Sequence, residues 1–264
     1  MKGCPVPETK PFETISILGV PVSALDLPLA LRTLDGWIKQ RASRYVCAPD
    51  VFNISSANAD ERHMAALQGA DMVVPDGTPL TWVGRLRGNR KIQRVCGPDL
   101  LLAACEHSVK EGWRHYFYGG AEGVAGKLVE TLQKRYPGLQ VAGVESPPFR
   151  PLSETESRKM ITRVQESGAD IMWIGLGCPK QEIWMHEHVD RIDGVILIGV
   201  GAAFDFYSGR VVRAPEWMRN HGLEWMHRFG SEPKRLWRRY CYHAPRFIIL
   251  SLVETLLTAK LAEK

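Results

Sequence analysis

An aspartate that directly follows a short apolar run is the sharpest candidate for chemistry in this chain. Asp76 comes after the run 71–74 and precedes Gly77. If that run is a buried strand, the carboxylate lies at the mouth of a crevice, where partial burial can raise its pKa towards the range of a general base. An aspartate that only caps a helix or starts a turn has the same local sequence, so both interpretations stay open.

Two glycine-containing segments have the composition of loops that approach phosphate groups. Gly119 and Gly120 lie between a predicted strand and a predicted helix, where backbone N–H groups and the helix N-terminus can meet a diphosphate. Gly177 ends a later strand, and Lys180 and Gln181 then lie in the first turn of a helix, within reach of a ligand. A plain tight turn with a solvated lysine explains the same residues.

Arg94 and Asp205 are the remaining candidates at the ends of predicted elements. Arg94 precedes a helix that begins near Gly97, where a guanidinium can hold a phosphate through two hydrogen bonds. A surface ion pair with Asp99 is an equal alternative. Asp205 follows the last predicted strand. No Asp-x-Asp pair that could hold Mg²⁺ on a diphosphate follows a predicted strand, so we expect no metal and no cofactor, and cationic groups must stabilise any diphosphate that binds.

Strands that alternate with helices must position these candidates. Seven short apolar or β-branched runs are predicted strands, at 15–20, 45–48, 71–74, 115–118, 140–144, 170–175 and 195–200. The clearest helical patterns lie at 25–40, 124–136, 179–189 and after Ser153, which starts a capping box with Glu156. This alternation predicts an α/β fold with a Rossmann-like, mainly parallel sheet and helices on both faces. Ligands of such sheets bind beyond the carboxyl ends of the strands.

The pattern changes after residue 209, which divides the chain into a predicted α/β catalytic domain over 1–209 and a helical appendage over 210–264. Residues 210–246 hold nine basic residues against three glutamates and are rich in Trp and Tyr, in a chain whose net charge is +5. Such a segment suits an anionic membrane surface, a nucleic acid, an oligomer interface or an ordinary solvated helix face.

Cysteine and histidine usage argues against a metal or disulfide framework. The six cysteines are scattered, with no C-x-x-C pair and no histidine at metal-ligand spacing, which predicts free, mostly buried thiols in a reducing cytosol. His63, His107, His115, His186 and His188 are read as isolated core or surface residues. The polar segment 1–12 is not a secretory signal, and no apolar run reaches the roughly 18–20 residues that span a bilayer.

Eight motifs occur in a fixed order along the chain. They are V-P-D-G at 74–77, R-V-C-G-P-D at 94–99, Y-G-G at 118–120, G-L-G-C-P-K-Q-E at 175–182, G-V-G-A-A-F-D at 199–205, R-A-P-E-W-M at 213–218, G-L-E-W at 222–225 and E-P-K-R-L at 232–236. This ordered set resembles the WecG/TagA/CpsF glycosyltransferase family. The resemblance covers roughly residues 15–245.

The resemblance implies an inverting, metal-independent glycosyltransferase that moves a sugar from a UDP-sugar to an undecaprenyl-diphosphate-linked saccharide. Asp76 matches the implied general base, while Arg94 and Gln181 match residues implied to bind the diphosphate and the nucleotide sugar. The appendage is implied to hold the enzyme peripherally on the anionic cytoplasmic face of a bacterial inner membrane. It is also implied to supply arginines that close over the diphosphate, for which the candidates are Arg210, Arg213, Arg219 and Arg228.

One segment departs from the family pattern. The family often has Thr-Pro-Asn or Thr-x-Asn where this chain has Ala48-Pro49-Asp50. Both changed positions are implied to face the donor or acceptor sugar, so a hexose or uronic acid donor becomes an alternative to N-acetylmannosamine. Asp50 also becomes a candidate to share the role of base with Asp76, since two close carboxylates raise the pKa of one of them.

Two other classes of protein are weighed against this one. A Rossmann-type oxidoreductase or epimerase is disfavoured, because no G-x-G-x-x-G follows a predicted strand. A nucleic-acid-binding module that uses the basic tail would bind DNA in a salt-dependent way. The resemblance favours a membrane and no nucleic acid, and it leaves a homo-oligomer open.

Overall fold

The computed structural model describes residues 10–262 and contains a six-stranded sheet in the order β4-β3-β8-β7-β5-β6. Every pair of neighbouring strands in this sheet is parallel. The strands are β3 (Arg44–Cys47), β4 (Met72–Val73), β5 (Arg114–Gly119), β6 (Gln140–Glu145), β7 (Ile171–Gly175) and β8 (Ile196–Gly199), preceded by β1 (Glu13–Ile17) and β2 (Val20–Ala24). The predicted Rossmann-like α/β fold is confirmed.

Helices cover both faces of the sheet. They are α1 (Leu27–Lys39), α2 (Val51–Ala57), α3 (Glu61–Gln68), α4 (Thr78–Leu86), α5 (Gly97–Glu111), α6 (Val124–Arg135), α7 (Glu154–Ser167), α8 (Lys180–His188) and α9 (Ala203–Tyr207). Because side chains alternate along a strand, Phe117 and Trp173 join one core with α1, α5 and α6. Their neighbours Tyr118 and Ile174 join a second core on the opposite face. The predicted capping box at the start of α7 is confirmed.

The first predicted strand is wrong in its extent and in its sheet. Residues 15–20 do not form one strand of the main sheet but belong to an antiparallel hairpin of β1 and β2. The chain reverses at Leu18 and Gly19, whose φ angles are 49° and 83°. A turn with two positive φ angles breaks the extended conformation, although the apolar pattern continues through it. The hairpin packs with the core that Tyr118 joins.

The chain after α9 is helical and packs onto the sheet domain. It forms α10 (Glu216–Asn220), α11 (Glu224–Ser231), α12 (Pro233–Trp237), a π-helix (Arg238–His243) and α13 (Ala244–Ala262). Phe247 of α13 is fully buried. Glu254 accepts hydrogen bonds from the Leu18 backbone N–H at 2.9 Å and from Arg87 at 2.7 Å. Within residues 10–262, no helix is both long and apolar enough to cross a membrane.

The cysteines in the described part of the chain are free thiols, as predicted. Cys47, Cys96 and Cys105 are buried, Cys178 is half-buried and Cys241 is exposed. Cys4 and the first nine residues of the polar N-terminal segment lie outside the described residues.

Candidate active site

Asp50 and Asp76 lie beyond the carboxyl ends of the neighbouring strands β3 and β4. Asp76 is half-buried, and its Oδ2 accepts a hydrogen bond of 3.4 Å from the backbone N–H of Gly97. Burial raises the pKa of Asp76 to about 7, the negative charge of Asp50 adds to the rise, and the positive charge of Arg94 opposes it. A half-buried carboxylate with this pKa can accept a proton near neutral pH.

Asp50 has a different environment from Asp76. It is the N-cap of α2, and its Oδ1 accepts a hydrogen bond of 3.0 Å from the backbone N–H of Asn53. Its Oδ2 pairs with the Arg239 guanidinium. Burial opposes ionisation of Asp50, but the charge and hydrogen bond of Arg239 prevail and hold the pKa of Asp50 below its ordinary value. Asp50 is therefore the ionised member of the two carboxylates, and Asp76 is the titrating one.

Arg239 is a residue of this site that the sequence analysis did not single out. It lies in the π-helix, 189 residues from Asp50 in the chain, and its guanidinium also lies 5.1 Å from the centre of the Phe52 ring. The only signal in the sequence is its membership of the basic segment 210–246, which does not distinguish it from its neighbours.

Arg94 and Arg213 meet at a shared carboxylate. Glu224 of α11 accepts from Arg94 at 2.9 Å and from Arg213 at 3.1 Å. Arg213 also donates to Asp99 at 2.6 Å and to the Tyr207 hydroxyl at 3.0 Å. The sequence analysis offered an ion pair between Arg94 and Asp99 as an alternative. In the structure Arg94 pairs with Glu224 instead. These contacts bring the segment after α9 against the start of α5, next to Asp76.

The other three candidate arginines differ in their surroundings. Arg219 lies 3.7 Å from Asp99, and its buried Nε lacks a hydrogen-bond partner among the described residues. Arg228 stacks over the Phe206 ring at 5.5 Å. Arg210 is exposed and only 3.9 Å from Asp205. Arg213 and Arg219 therefore gather at the start of α5, whereas Arg210 points to the half-exposed Asp205.

The glycine loops end the central strands at the same edge of the sheet. Gly119 has a φ of 138°, and a Cβ there would lie 2.6 Å from the Gly175 carbonyl group. The Gly120 N–H donates to the Gly175 carbonyl at 3.0 Å. The close approach of two strand ends thus explains Gly119. Gly177 has a φ of 77° with open space around its Cα, so its role is conformational.

Gln181 and Lys180 start α8 but face different surroundings. Gln181 is buried, and its Nε2 donates to Glu182 Oε1 at 2.9 Å while its own Oε1 has no partner within the described chain. Lys180 is exposed. His63 is a buried core residue, as one of its two predicted readings has it, but it is not isolated, because its Nε2 lies 4.0 Å from Cys178 Sγ across 115 residues of sequence. Packing of α3 against the loop after β7 brings them together.

The fold is that of an α/β protein in which a carboxylate with a raised pKa lies beside several arginines, an arrangement suited to an anionic ligand. The family model described as "Glycosyl transferase WecG/TagA/CpsF family" matches residues 15–261. The chain therefore belongs to the WecG/TagA/CpsF family and is a glycosyltransferase, which sets aside the oxidoreductase and nucleic-acid alternatives.

Two curated relatives carry the same name. An N-acetylglucosaminyldiphosphoundecaprenol N-acetyl-beta-D-mannosaminyltransferase of Bacillus spizizenii strain W23 is 29% identical over 204 residues, which cover 77% of each chain. The protein of that name from Bacillus subtilis strain 168 is 28% identical over 200 residues, or 75% of each chain.

Proposed function

We propose that this enzyme transfers a sugar from a UDP-sugar to an undecaprenyl-diphosphate-linked saccharide, with inversion at the anomeric carbon. The names of the relatives support this acceptor. The observation that carries the proposal is Asp76, a half-buried carboxylate whose pKa burial raises to about 7 at the ligand-binding edge of the sheet. Asp76 takes the proton from the acceptor hydroxyl as that oxygen attacks the anomeric carbon and UDP leaves. Asp50 assists by raising the pKa of the base.

Arginines rather than a divalent cation stabilise the leaving diphosphate in this proposal. Arg94, Arg213 and Arg219 converge near the start of α5, where they are held by Glu224 and Asp99. A diphosphate accepts hydrogen bonds from the same forked guanidinium groups that a carboxylate does. We propose that the diphosphate competes for these donors, and that Arg228, Gln181 and the loops at Gly120 and Gly177 complete its surroundings.

The pairing of Asp50 with Arg239 favours a neutral donor sugar over a uronic acid. Asp50 stays ionised, because Arg239 holds the pKa of that carboxyl below its ordinary value. An ionised carboxylate repels a second carboxylate brought close to it. Arg239, the cation nearest to Asp50, is already engaged in the ion pair. We therefore expect a hexose or an N-acetylhexosamine as donor.

A screen of UDP-sugars tests this function directly. UDP release is measured with N-acetylglucosaminyl-diphosphoundecaprenol as first acceptor, with and without added Mg²⁺, and NMR assigns the anomeric configuration of the product. We expect release that requires both substrates, a neutral donor and an inverted product, with rates that added Mg²⁺ changes by less than about twofold because guanidinium groups supply the charge. A requirement for Mg²⁺, or release without any acceptor, contradicts the proposal.

The pH dependence of transfer tests the electrostatic role of Asp50. As the base, Asp76 must be ionised, so kcat/KM falls about tenfold per pH unit below its pKa of about 7. Asp50→Asn removes the negative charge that raises this pKa, while asparagine keeps the helix cap. We expect the acidic limb of the profile to move to lower pH in this variant. An unmoved limb would show that Asp50 does not act on the base.

We also propose that α13 lies on an anionic membrane surface and that the segment 210–264 serves as the membrane-associated appendage. One face of α13 exposes six large apolar side chains, namely Ile248, Ile249, Leu252, Val253, Leu256 and Leu257. Exposed Trp237 and Tyr242 lie just before it in the chain, with Arg238 among them. Apolar, aromatic and basic side chains on one surface element are typical of a helix lying in a bilayer interface.

Substituting Ile249 and Leu256 together with serine should weaken binding to vesicles of anionic phospholipid at least about tenfold, because each loses roughly 1 kcal/mol or more of apolar transfer. Co-sedimentation of the protein with the vesicles measures this binding. Phe149→Ser is the matched control, since Phe149 is 87% exposed but lies between β6 and α7. If both variants lose vesicle binding equally, or if neither loses any, α13 is not the surface that binds the membrane.

A further inference from the structure

A second cluster of polar side chains lies at the loop after β7, close enough to Asp50 and Arg239 for their charges to act on the pKa of Cys178. His63 of α3, Cys178 of the loop and Glu182 of α8 bring a ring nitrogen, a thiol sulfur and a carboxylate oxygen within 4.8 Å of one another. His63 and Glu182 are buried, with exposed fractions of 1% and 0%, and Cys178 is half-buried.

The polar atoms of this cluster are poorly satisfied by the described residues. Glu182 Oε2 and His63 Nδ1 are buried and have no hydrogen-bond partner among them. The contact of Cys178 Sγ with His63 Nε2, at 4.0 Å, is at the outer limit for a hydrogen bond to sulfur. Buried polar atoms nearly always have a partner, so a fully buried carboxylate oxygen without one requires an explanation.

A cation held by Cys178 Sγ, His63 Nε2 and Glu182 would explain why these three side chains converge, and it would give the unpaired Glu182 oxygen a partner. Imidazole, thiolate and carboxylate together are ligands that Zn²⁺ accepts, whereas Mg²⁺ and Ca²⁺ prefer oxygen alone. Zinc bonds of about 2.3 Å to sulfur and about 2.0–2.2 Å to nitrogen and oxygen place tetrahedral ligands about 3.3–3.7 Å apart. The sulfur and nitrogen, 4.0 Å apart, would have to approach by a few tenths of an ångström, and the carboxylate oxygen, within 4.8 Å of both, by up to about 1.4 Å to reach zinc geometry.

We propose that His63, Cys178 and Glu182 form a zinc site with three protein ligands and a water molecule in the fourth position. Binding replaces the proton of the Cys178 thiol, and any proton on the Glu182 carboxyl, with bonds to the metal, and the protons pass to solvent. No oxidation or reduction accompanies it. The site goes beyond the proposed sugar transfer, which places no metal on the diphosphate.

The zinc would position Gln181 rather than take part in chemistry. Cys178 and Glu182 lie on either side of Gln181 in the chain, and the Gln181 amide donates to Glu182 Oε1 at 2.9 Å. A metal held by both neighbours and by His63 links α3 to the loop and fixes the carboxylate that orients this amide. Gln181 is the residue we propose to contact the nucleotide sugar.

Metal content of the full chain tests the site without any substrate. The protein is equilibrated with Zn²⁺, separated from excess metal by gel filtration and analysed by mass spectrometry. Affinity is measured by competition with a chromophoric chelator. We expect about one zinc per chain in the unsubstituted protein, and an affinity loss in Cys178→Ser greater than the roughly 10–100-fold that removal of an outer partner costs. Cys241→Ser, which changes an exposed thiol elsewhere, should retain full zinc.

Cobalt substitution of the unaltered protein provides a second readout. Co²⁺ bound by a thiolate gives a charge-transfer absorption in the near ultraviolet, and a tetrahedral site gives intense visible bands. We expect both in the natural sequence and in Cys241→Ser. Zinc below about 0.1 per chain, a cobalt spectrum without the thiolate band, or equal zinc in Cys178→Ser would overturn the proposal. Because no sugar or UDP is present, these outcomes are independent of the transferase assay.

Discussion

Asp76→Asn is expected to lower the rate of sugar transfer by about 10²–10⁴-fold, which is the usual contribution of a general base. Asparagine has nearly the same shape but cannot take the proton of the acceptor hydroxyl. Asp76 makes one long hydrogen bond of 3.4 Å, to the Gly97 N–H, which an amide oxygen can also accept. Binding of UDP should therefore stay within about twofold, as measured by calorimetry, since the substitution removes only a carboxylate charge near the diphosphate.

The free energy of unfolding separates this role from a structural one. Burial and the charge of Asp50 both raise the pKa of Asp76, so its ionised form is destabilised in the folded protein. Replacing it with a neutral amide should leave stability unchanged or raise it slightly. Asp26→Asn is the control, because the Asp26 carboxylate caps α1 by accepting from the Leu29 N–H and asparagine caps a helix equally well. Near-normal transfer in Asp76→Asn would refute the assignment of the base.

Among the substitutions proposed for this site, Arg213→Ala is expected to lower the free energy of unfolding most. It should also slow sugar transfer. The Arg213 side chain is only 11% exposed and bridges Asp99 at 2.6 Å and Glu224 at 3.1 Å. Without Arg213, two partly buried carboxylates lose a cationic partner. We expect this loss to lower the free energy of unfolding by about 2–3 kcal/mol. For a protein of this size, that lowers the melting temperature by roughly 4–5 °C. Loss of a donor to the diphosphate should lower kcat by about 10²-fold as well.

Two matched variants separate charge from geometry at this position. Arg213→Lys keeps the charge but loses the planar fork that reaches two carboxylates, so we expect stability and transfer between those of the natural sequence and Arg213→Ala. Arg210→Ala removes a neighbouring arginine that is exposed and 3.9 Å from Asp205. Arg210→Ala should lower the free energy of unfolding by less than about 1 kcal/mol. Indistinguishable melting temperatures for Arg210→Ala and Arg213→Ala would contradict the bridging role.

The elements of the sheet could be predicted closely because their signals are local. The predicted runs at 170–175 and 195–200 match β7 (Ile171–Gly175) and β8 (Ile196–Gly199), since strands covered on both faces are apolar throughout. The hairpin of β1 and β2 could not be separated in the same way. Its turn at Leu18 and Gly19 depends on two positive φ angles and not on a break in the apolar pattern.

The sequence alone determined the order of strands and helices, the family motifs and the position of Asp76 after β4, because hydrophobic periodicity and short motifs act between neighbouring residues. Only the tertiary structure decided which charges meet. Asp50 pairs with Arg239 across 189 residues, and Arg213 pairs with Asp99 across 114. His63 meets Cys178 across 115. Such pairs follow from how helices pack on the sheet, so neither partner carries a local signal for the other.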